Sequence, residues 1–575
     1  MSTLSDPDPV ARTVLEKRCL RRDSRGSVVE TPGELLDRVA SSIASVEAQY
    51  GNDPAVVADE FAGMLDALEF LPNSPVLMNA GTGSGQLAAC FVLPVEDSLE
   101  SIFTAVKDAA LIHQSGGGTG FSFSNIRPQG DVVQETGGVA SGPVSFVRIF
   151  DVATEQVKQG GRRRGANMGV LASWHPDVEQ FVTAKTEEGS LRNFNLSVGT
   201  DQRFWDAIET GEPYDLVNPR TGATVERVDP GDLLDDIATA AWAAGDPGLV
   251  FLDTVNAANP TPELGRIEAT NPCGETPLLP YEACVLGSVN LARMTHDGAV
   301  DWDRLERTVR LGVRFLDDTI DACEFPLPQI TEVVTRNRKI GLGVMGFSDL
   351  LVDLGVPYDS EAAVTMAEDL MEFVSEAAWD ASATLADERG EFPNFSRSTL
   401  DRPVRNATTT AIAPTGTISL IAGCTSGIEP IYAVAYEKHV LGGLDLVDDQ
   451  FVRRTRERGL DTDDLLEAVR GRTSIQDVAA VPADVRELFQ TAHDVPATRH
   501  LEIQAAFQRH TDNAVSKTVN LPEEATAADV RAIYEQARQL GVKGVTVFRS
   551  GSRREQVLGG DPLKEECVSE CVEFA

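Results

Sequence analysis

Asn271, Pro272, Cys273, Gly274 and Glu275 put an amide, a thiol and a carboxylate side by side in one short stretch. Side chains alternate faces along an extended segment, so Asn271, Cys273 and Glu275 are expected on the same side, converging on one small volume. A carboxylate beside a thiol is equipped for proton transfer and for thiol chemistry. Pro272 donates no backbone N–H and Gly274 tolerates unusual dihedrals, which favours a loop tip or an edge over a central strand. Cys284 follows in YEACVLGSVN, and Cys90 lies far upstream in GQLAACFVLP. Any one of these cysteines alone reads equally well as an inert buried residue. Three of them with a flanking Asn and Glu are harder to dismiss.

The run TNPCGETPLLPYEACVLGSVNLAR closely resembles the active-site finger loop of ribonucleotide reductases, in the version carried by adenosylcobalamin-dependent (class II) enzymes. Other segments fit the same family in the same order. They are LPNSPVLMNAGT at 71–82, AACFVLPVEDSLESIF at 88–103, SGGGTGFSFSNIRPQGD at 115–131, GGVASGPVSF at 137–146 and VKQGGRRRGANMG at 157–169, then APTGTISLIAGCTSGIEP at 413–430 and HTDNAVSKTVNLP at 510–522. Together they cover most of residues 12–558.

The resemblance implies a chemistry. Removing a ribose 2′-hydroxyl is hard because hydroxide is a poor leaving group. In the family a thiyl at Cys273 takes the 3′-hydrogen and Glu275 accepts the 3′-hydroxyl proton. The 2′-hydroxyl leaves as water, protonated by the Cys90/Cys284 dithiol, which closes to a disulfide; Asn271 orients the substrate. A carboxylate as base and a facing dithiol as two-electron reductant suit those roles. The family also implies a ribonucleotide substrate, here read as a diphosphate. Its pocket would comprise Ser74, Ala89, Cys90, Gly118, the stretch Asn271 to Glu275, and Pro414, Thr415, Gly416, Thr417 and Ile418. On residues alone, PTGTIS is a weak phosphate signal: small residues whose successive N–H groups could face an anion near a helix start.

Three radical sources are known in the family. Class I enzymes receive the radical from a separate metal-containing subunit through adjacent tyrosines near the end of the barrel, but GVKGVTVFRSGSR at 541–553 contains no Tyr. The glycyl-radical tail motif of class III is absent. Adenosylcobalamin remains, with no metal-ligating residue assigned, since no Asp-x-His-x-x-Gly signature appears. The competing readings are a class I catalytic subunit and an inactive nucleotide-sensing relative; the latter would usually have lost one of the active-site residues.

KQGGRRRGAN at 158–167 reads as a solvated basic loop, a nucleic-acid patch or a small-nucleotide site, and the chain's acidity favours the last. It resembles the loop that relays which deoxynucleotide or ATP effector is bound. The carry-over names Lys158, Gln159 and Arg163 there, with Asp97, Ser98, Leu99 and Arg127 lining the effector site; Arg162 stands where relatives often have a small polar residue. In the tail, Cys567 and Cys571 in KEECVSECVEFA are either half of a zinc site or a shuttle recharged by thioredoxin or glutaredoxin. Cys19, Cys323 and Cys424 read as packing residues.

The elements that must position these groups follow from the pattern. Residues 1–70 read as helical: in TPGELLDRVASSIASVEAQY, Thr31 is placed as N-cap, Pro32 at the first helical position and Glu34 three residues beyond the cap. LPNSP arrives by residue 71, leaving no room for the ATP-binding cone of some relatives. From 71 to 550, short apolar runs alternate with helical patterns, the mark of repeated βα units. AACFVLPV reads as a buried strand, SLESIFTAVKDAALIHQ as a helix and SGGGTGFSFS as a glycine-rich turn followed by alternating residues. Periodicity gives α/β; the family implies a ten-stranded α/β barrel with the cysteine loop through its centre, and the same resemblance implies a homodimer. Residues 440–498 read as surface helices, and 551–575 as a redox tail.

The 575 residues hold 89 Asp and Glu against 50 Lys and Arg, a formal charge of −39, and only nine of the 50 are Lys. Such a surface repels nucleic-acid polymers and acidic membranes. It strains the compact state until molar salt shortens the screening length to about 3 Å. That points to a halophile's cytoplasm, the alternative being an acidic mesophile protein. No apolar run approaches the ~20 residues of a membrane span, the start lacks a signal peptide's features, and eight Cys are too few for a disulfide scaffold.

Overall fold

The computed structural model describes residues 2–133, 138–159, 163–187, 189–438 and 443–552. The tail cysteines, Cys567 and Cys571, and Arg162 lie outside the described residues.

Ten strands form one sheet: β1 (Phe70–Pro72), β2 (Cys90–Val92), β3 (Gly118–Ser122), β4 (Asn167–Ala172), β5 (Phe194–Thr200), β6 (Gly248–Phe251), β7 (Ala283–Asn290), β8 (Ile340–Met345), β9 (Thr518–Leu521) and β10 (Gly544–Arg549). Strands β2 to β6 run parallel in chain order. Strand β6 meets β10 antiparallel, and β10 lies parallel to β9. On the other side β7 is antiparallel to β2 and to β1, and parallel to β8. Parallel bridges from Leu342 to Thr410 and from Ile412 to Val515 carry the sheet through residues 408–412 to the β9 chain and close the barrel. Two parallel halves thus meet antiparallel at β2/β7 and β6/β10. Parallel strands covered on both faces need continuous apolar runs rather than alternation, and β3, β4, β7 and β8 are buried at every position.

The glycine-rich run divides as the sequence suggests: Ser115 and Gly116 make the turn, and β3 begins at Gly118. Gly118 and Gly120 are strand residues facing a second layer of chain inside the barrel.

Helices α1 (Pro9–Val14), α2 (Pro32–Ala44) and α3 (Pro54–Asp66) precede the barrel. The capping box of α2 forms: the Thr31 hydroxyl accepts from the Glu34 N–H at 3.3 Å, and the Glu34 carboxylate accepts from the Thr31 N–H at 2.8 Å. Helix α2 lies on α3 and on a long helix outside the barrel, Trp302–Ala322. A buried ion network fastens this layer. The Arg389 side chain is fully buried and pairs with Asp317 at 2.9 Å, Asp318 at 2.6 Å and Glu47 at 2.5 Å, while Arg338 pairs with Asp317 at 2.9 Å. The planar, multi-donor guanidinium serves such networks where an ammonium would not.

Residues 440–498, expected as surface helices, contain helices at Asp449–Glu457, Thr462–Val469 and Ala483–Leu488 around a small core of their own that includes Phe451, Val469 and Phe489. They also roof a large chamber, which a purely surface role does not anticipate. No helix among the described residues is long and apolar enough to cross a membrane.

Candidate active site

Residues 269–278 form a hairpin inside the barrel, its arms Ala269–Thr270 and Pro277–Leu278 paired antiparallel. Alternation along a strand is not what gathers the site residues; a tight turn is. The Gly274 N–H donates to the Asn271 carbonyl at 3.1 Å, with Pro272 at the second turn position, where its fixed φ fits. Gly274 itself has φ +83°, open to glycine at no steric cost. Asn271 then closes the tip: its side-chain carbonyl accepts from the Thr276 N–H at 3.0 Å, and its backbone N–H donates to the Thr276 carbonyl at 3.2 Å.

The barrel wall holds the tip from several sides. Asn195 of β5 donates to the Pro272 carbonyl at 2.8 Å, and the Ala514 N–H donates to the Glu275 carbonyl at 2.8 Å. Strand β3 admits the hairpin only because it carries glycine. A Cβ on Gly120 would stand 1.7 Å from the Thr270 carbonyl oxygen, and one on Gly118 2.8 Å from Pro272.

Cys90 of β2 and Cys284 of β7 are directly opposite in the antiparallel register. Opposed residues in such a ladder have Cα atoms about 4.5–5.5 Å apart, inside the span of about 4.4–6.8 Å that a disulfide bridges. Both are free and buried, whereas Cys273 is half-buried. The Asn271 amide donates to Cys90 Sγ at 3.1 Å, and Cys90 Sγ lies 3.7 Å from Glu275 Oε1, close enough for a weak S–H···O contact. Burial, and then the negative charge of Glu275, push the Cys90 thiol well above its usual range. Burial also raises Cys284, opposed by Lys339. Lys339 pairs with Glu282 at 2.7 Å, both within 2% of full burial. Both sulfurs are therefore protonated thiols at neutral pH.

A narrow pocket opens over this cluster. Of the expected substrate residues, Ser74, Ala89, Cys90, Gly118, Asn271, Pro272, Cys273, Glu275 and Pro414 through Ile418 line it; Gly274 does not. Asn73, Ala413 and Leu286 to Ser288 also line it, residues inside the matched motifs to which the sequence reading gave no site role. Thr415 holds φ +58°, unusual for a β-branched residue, with its hydroxyl accepting from the Gly427 N–H at 2.7 Å. A second chamber of about 1210 Å³ lies beyond the hairpin tip, and Pro272, Cys273 and Pro414 border both spaces.

Residues 88–404 and 399–548 match the family described as ribonucleotide reductase, barrel domain, and residues 5–85 match its all-alpha domain. The chain belongs to the ribonucleotide reductase family. It is 53% identical over 572 residues to a vitamin B12-dependent ribonucleoside-diphosphate reductase of Mycobacterium tuberculosis (strain CDC 1551 / Oshkosh), covering 98% of this chain and 82% of that one. A protein of the same description from Thermoplasma acidophilum is 45% identical over 608 residues, covering 95% of this chain and 79% of the other. The fold is shared with the class Id ribonucleotide reductase alpha subunit of Actinobacillus ureae, with a TM-score of 0.78 at 21% identity, over 96% of this chain and 98% of that one.

Elsewhere on the reductase, Asp97 and Arg127 pair at 2.8 Å, Arg127 also donating its backbone N–H to Asp97. Ser98 caps the helix Leu99–Gln114 by accepting from the Ser101 N–H at 3.1 Å, and Leu99 is exposed. Lys158–Gln159 and Arg163–Arg164 form a two-stranded ribbon. The effector residues named from sequence thus fall on a helix start, a neighbouring loop and a ribbon, apart from the residues lining the narrow pocket. The large chamber is lined by residues to which the sequence reading gave no site role, among them Glu429, Tyr432, Tyr436, His493 and Asn520, together with Thr546 to Phe548 of β10.

Proposed function

We propose that this reductase converts ribonucleoside diphosphates to 2′-deoxyribonucleotides with adenosylcobalamin as its radical source, supplying DNA precursors. The observation that carries the reading is the place of Cys273, on the wall between the narrow pocket and the large chamber. The names of the relatives, vitamin B12-dependent reductases, point the same way.

The chamber suits the coenzyme. At about 1210 Å³ it exceeds the roughly 300–1,000 Å³ of ordinary small-molecule pockets, as a corrin requires. Tyr432, Tyr436 and His493 offer rings, and Asn520 and Glu429 offer polar contacts. Adenosylcobalamin, when bound, supplies the one-electron chemistry that turns the Cys273 thiol into a hydrogen acceptor.

The remaining steps belong to the protein. Cys273 takes the 3′-hydrogen of the ribose and later returns it. Glu275, buried beside it, holds the 3′-hydroxyl proton. Cys90 and Cys284, kept as thiols by burial, give one hydrogen to the departing 2′-hydroxyl, which leaves as water, and one to the carbon it leaves. Their sulfurs keep the electron pair as a disulfide, so atoms and electrons balance. Asn271 orients the nucleotide, and Pro414 to Ile418 hold its diphosphate.

Reduction of that disulfide is assigned to Cys567 and Cys571, recharged by thioredoxin or glutaredoxin. A deoxynucleotide or ATP effector belongs near Asp97 to Leu99, Arg127 and the Lys158/Arg163 ribbon. The exposed apolar residues Leu99, Phe103 and Leu111 on one helix and Ile149 and Val152 on its neighbour support a homodimer docked there.

One observation favours a second reading, radical delivery through tyrosines. Tyr432 and Tyr436 line the chamber with ring centroids 5.3 Å apart. The deciding experiment is nucleotide reduction in the dark with adenosylcobalamin and dithiothreitol and no second subunit. Turnover is expected. Turnover only with an added metal-containing subunit, indifferent to the cobalamin, would overturn the proposal in favour of the tyrosine route.

A further inference from the structure

The pocket proposed for a nucleoside diphosphate has an electrostatic gap. Among the described residues none that lines it carries a positive charge, while Glu275 carries a negative one, in a chain of net charge −39. Phosphate oxygens in such surroundings need a cation close by.

One stands directly behind the pocket wall, supplied by the all-alpha domain. Helix α1 passes into a wider π-turn, Leu15–Cys19, which directs Arg18 inward; Arg18 is only 8% exposed. Its Nη1 donates to Thr417 Oγ1 at 2.8 Å, a contact between residues 399 positions apart in the chain. Thr417 lines the pocket, and its hydroxyl does not cap the short helix that follows. Arginine is a donor only, so its N–H occupies a lone pair of the Thr417 oxygen, and the hydroxyl's own hydrogen has to point elsewhere. The pocket that Thr417 lines is one such direction.

Resting on the function proposed above, we infer that Arg18 is the positioning residue of the diphosphate subsite: through its bond to Thr417 it turns that hydroxyl into a phosphate donor and sets a positive charge behind it. Arg18 therefore discriminates phosphorylated ligands from the bare nucleoside, and it makes nucleotide affinity depend on the all-alpha domain.

The test is calorimetric titration of the full-length protein with CDP and with cytidine at fixed ionic strength, on the parent, Arg18→Gln, Arg18→Lys and Thr417→Val. Arg18→Gln is expected to weaken CDP binding about tenfold, as loss of a charge-assisted hydrogen bond does, and to leave cytidine within twofold. In turnover the same loss appears in KM, with kcat within about threefold. Arg18→Lys recovers part of the loss because the charge returns without the fork geometry. Thr417→Val, altered from the pocket side, reproduces the effect, and stands in for Arg18→Gln should that variant fail to fold. An unchanged CDP-to-cytidine ratio in Arg18→Gln, or in Thr417→Val in its stead, overturns the role of Arg18 alone. A parent protein that binds CDP no better than cytidine overturns the reading of the pocket itself.

Discussion

Gly120→Ala adds a single methyl group, and the structure states what it meets. The new Cβ would sit 1.7 Å from the Thr270 carbonyl oxygen, where real Cβ contacts stay beyond 3.0 Å. Strand or hairpin therefore has to move by more than an ångström. Strand β3 is fixed by parallel pairing with β2 and β4, whereas the hairpin has only two-residue arms, so the hairpin moves. Overpacking of this kind costs about 1–3 kcal/mol, a fall in Tm of at most about 10 °C. The catalytic loss is larger, because a misplacement of about 1 Å is worth on the order of 100-fold in rate, and Asn271 directly follows Thr270. Deoxynucleotide formation should fall at least 100-fold, read with dithiothreitol as reductant and alongside calorimetric melting. Oxidative closure of Cys90 to Cys284 should remain at parent level, since neither cysteine belongs to the hairpin. Gly63→Ala is the control: it lies in helix α3 with nothing within 4 Å of its Cβ position, and it should stabilise by about 0.5–1 kcal/mol. A Gly120→Ala protein with turnover within threefold of the parent would show that β3 does not position the hairpin.

Further predictions separate individual groups. Cys273→Ser should abolish turnover under every reductant, Cys90→Ser or Cys284→Ser should stop it after the internal reductant fails, and Cys567→Ser should turn over with dithiothreitol but not with thioredoxin, since only the small dithiol enters the pocket. Lys339→Met leaves Glu282 buried without its cation, destabilising by about 3–5 kcal/mol in denaturant melts and raising the Cys284 thiol further in thiol titrations. Burial holds His113 down to about 4 against an ordinary 6.5. The folded protein therefore declines a proton that the unfolded chain accepts below 6.5. Stability is full above that pH and falls by about 3 kcal/mol on descending to pH 4, and His113→Gln should flatten that part of the profile. The −39 charge predicts a Tm that climbs steeply from low to molar salt; a flat response would remove the case for a salt-adapted surface.

The parts of this site legible in the sequence are those where local chemistry is unusual. Asn271, Cys273 and Glu275 stand out as types, and the Thr31 cap is a rule of backbone hydrogen bonding. Their convergence was legible in part. Alternation along an extended segment was one expectation and a loop tip, from Pro272 and Gly274, the other; the structure has the tip, and its turn geometry brings the three together. A glycine-rich turn followed by alternating residues was legible at 115–124, but only the hairpin packed across Gly118 and Gly120 shows why that strand gives up its side chains. The roles of Arg18, Lys339 and the wall of the large chamber were not legible, because each matters through partners distant in the chain or on a different strand. The closure through residues 408–412 was hidden for a related reason: single parallel bridges leave no period in the chain.

The burial pattern follows from what each group must do. Cys90, Cys284, Asn271 and Glu275 are each less than 5% exposed, while Cys273 is half-buried between two spaces. Groups that hold or pass protons gain from exclusion of water, since a dry thiol keeps its hydrogen and a closed site does not leak protons to solvent. Cys273 has the opposite need, because it must exchange a hydrogen with partners on two sides in turn. A residue on a strand of the wall could face only one of them. A turn tip suspended in the barrel, fixed through the Pro272 and Glu275 carbonyls and the Asn271 side chain, leaves its thiol open to both. The hairpin is therefore the least expendable element of the fold, and the glycines of β3 are the condition for having it.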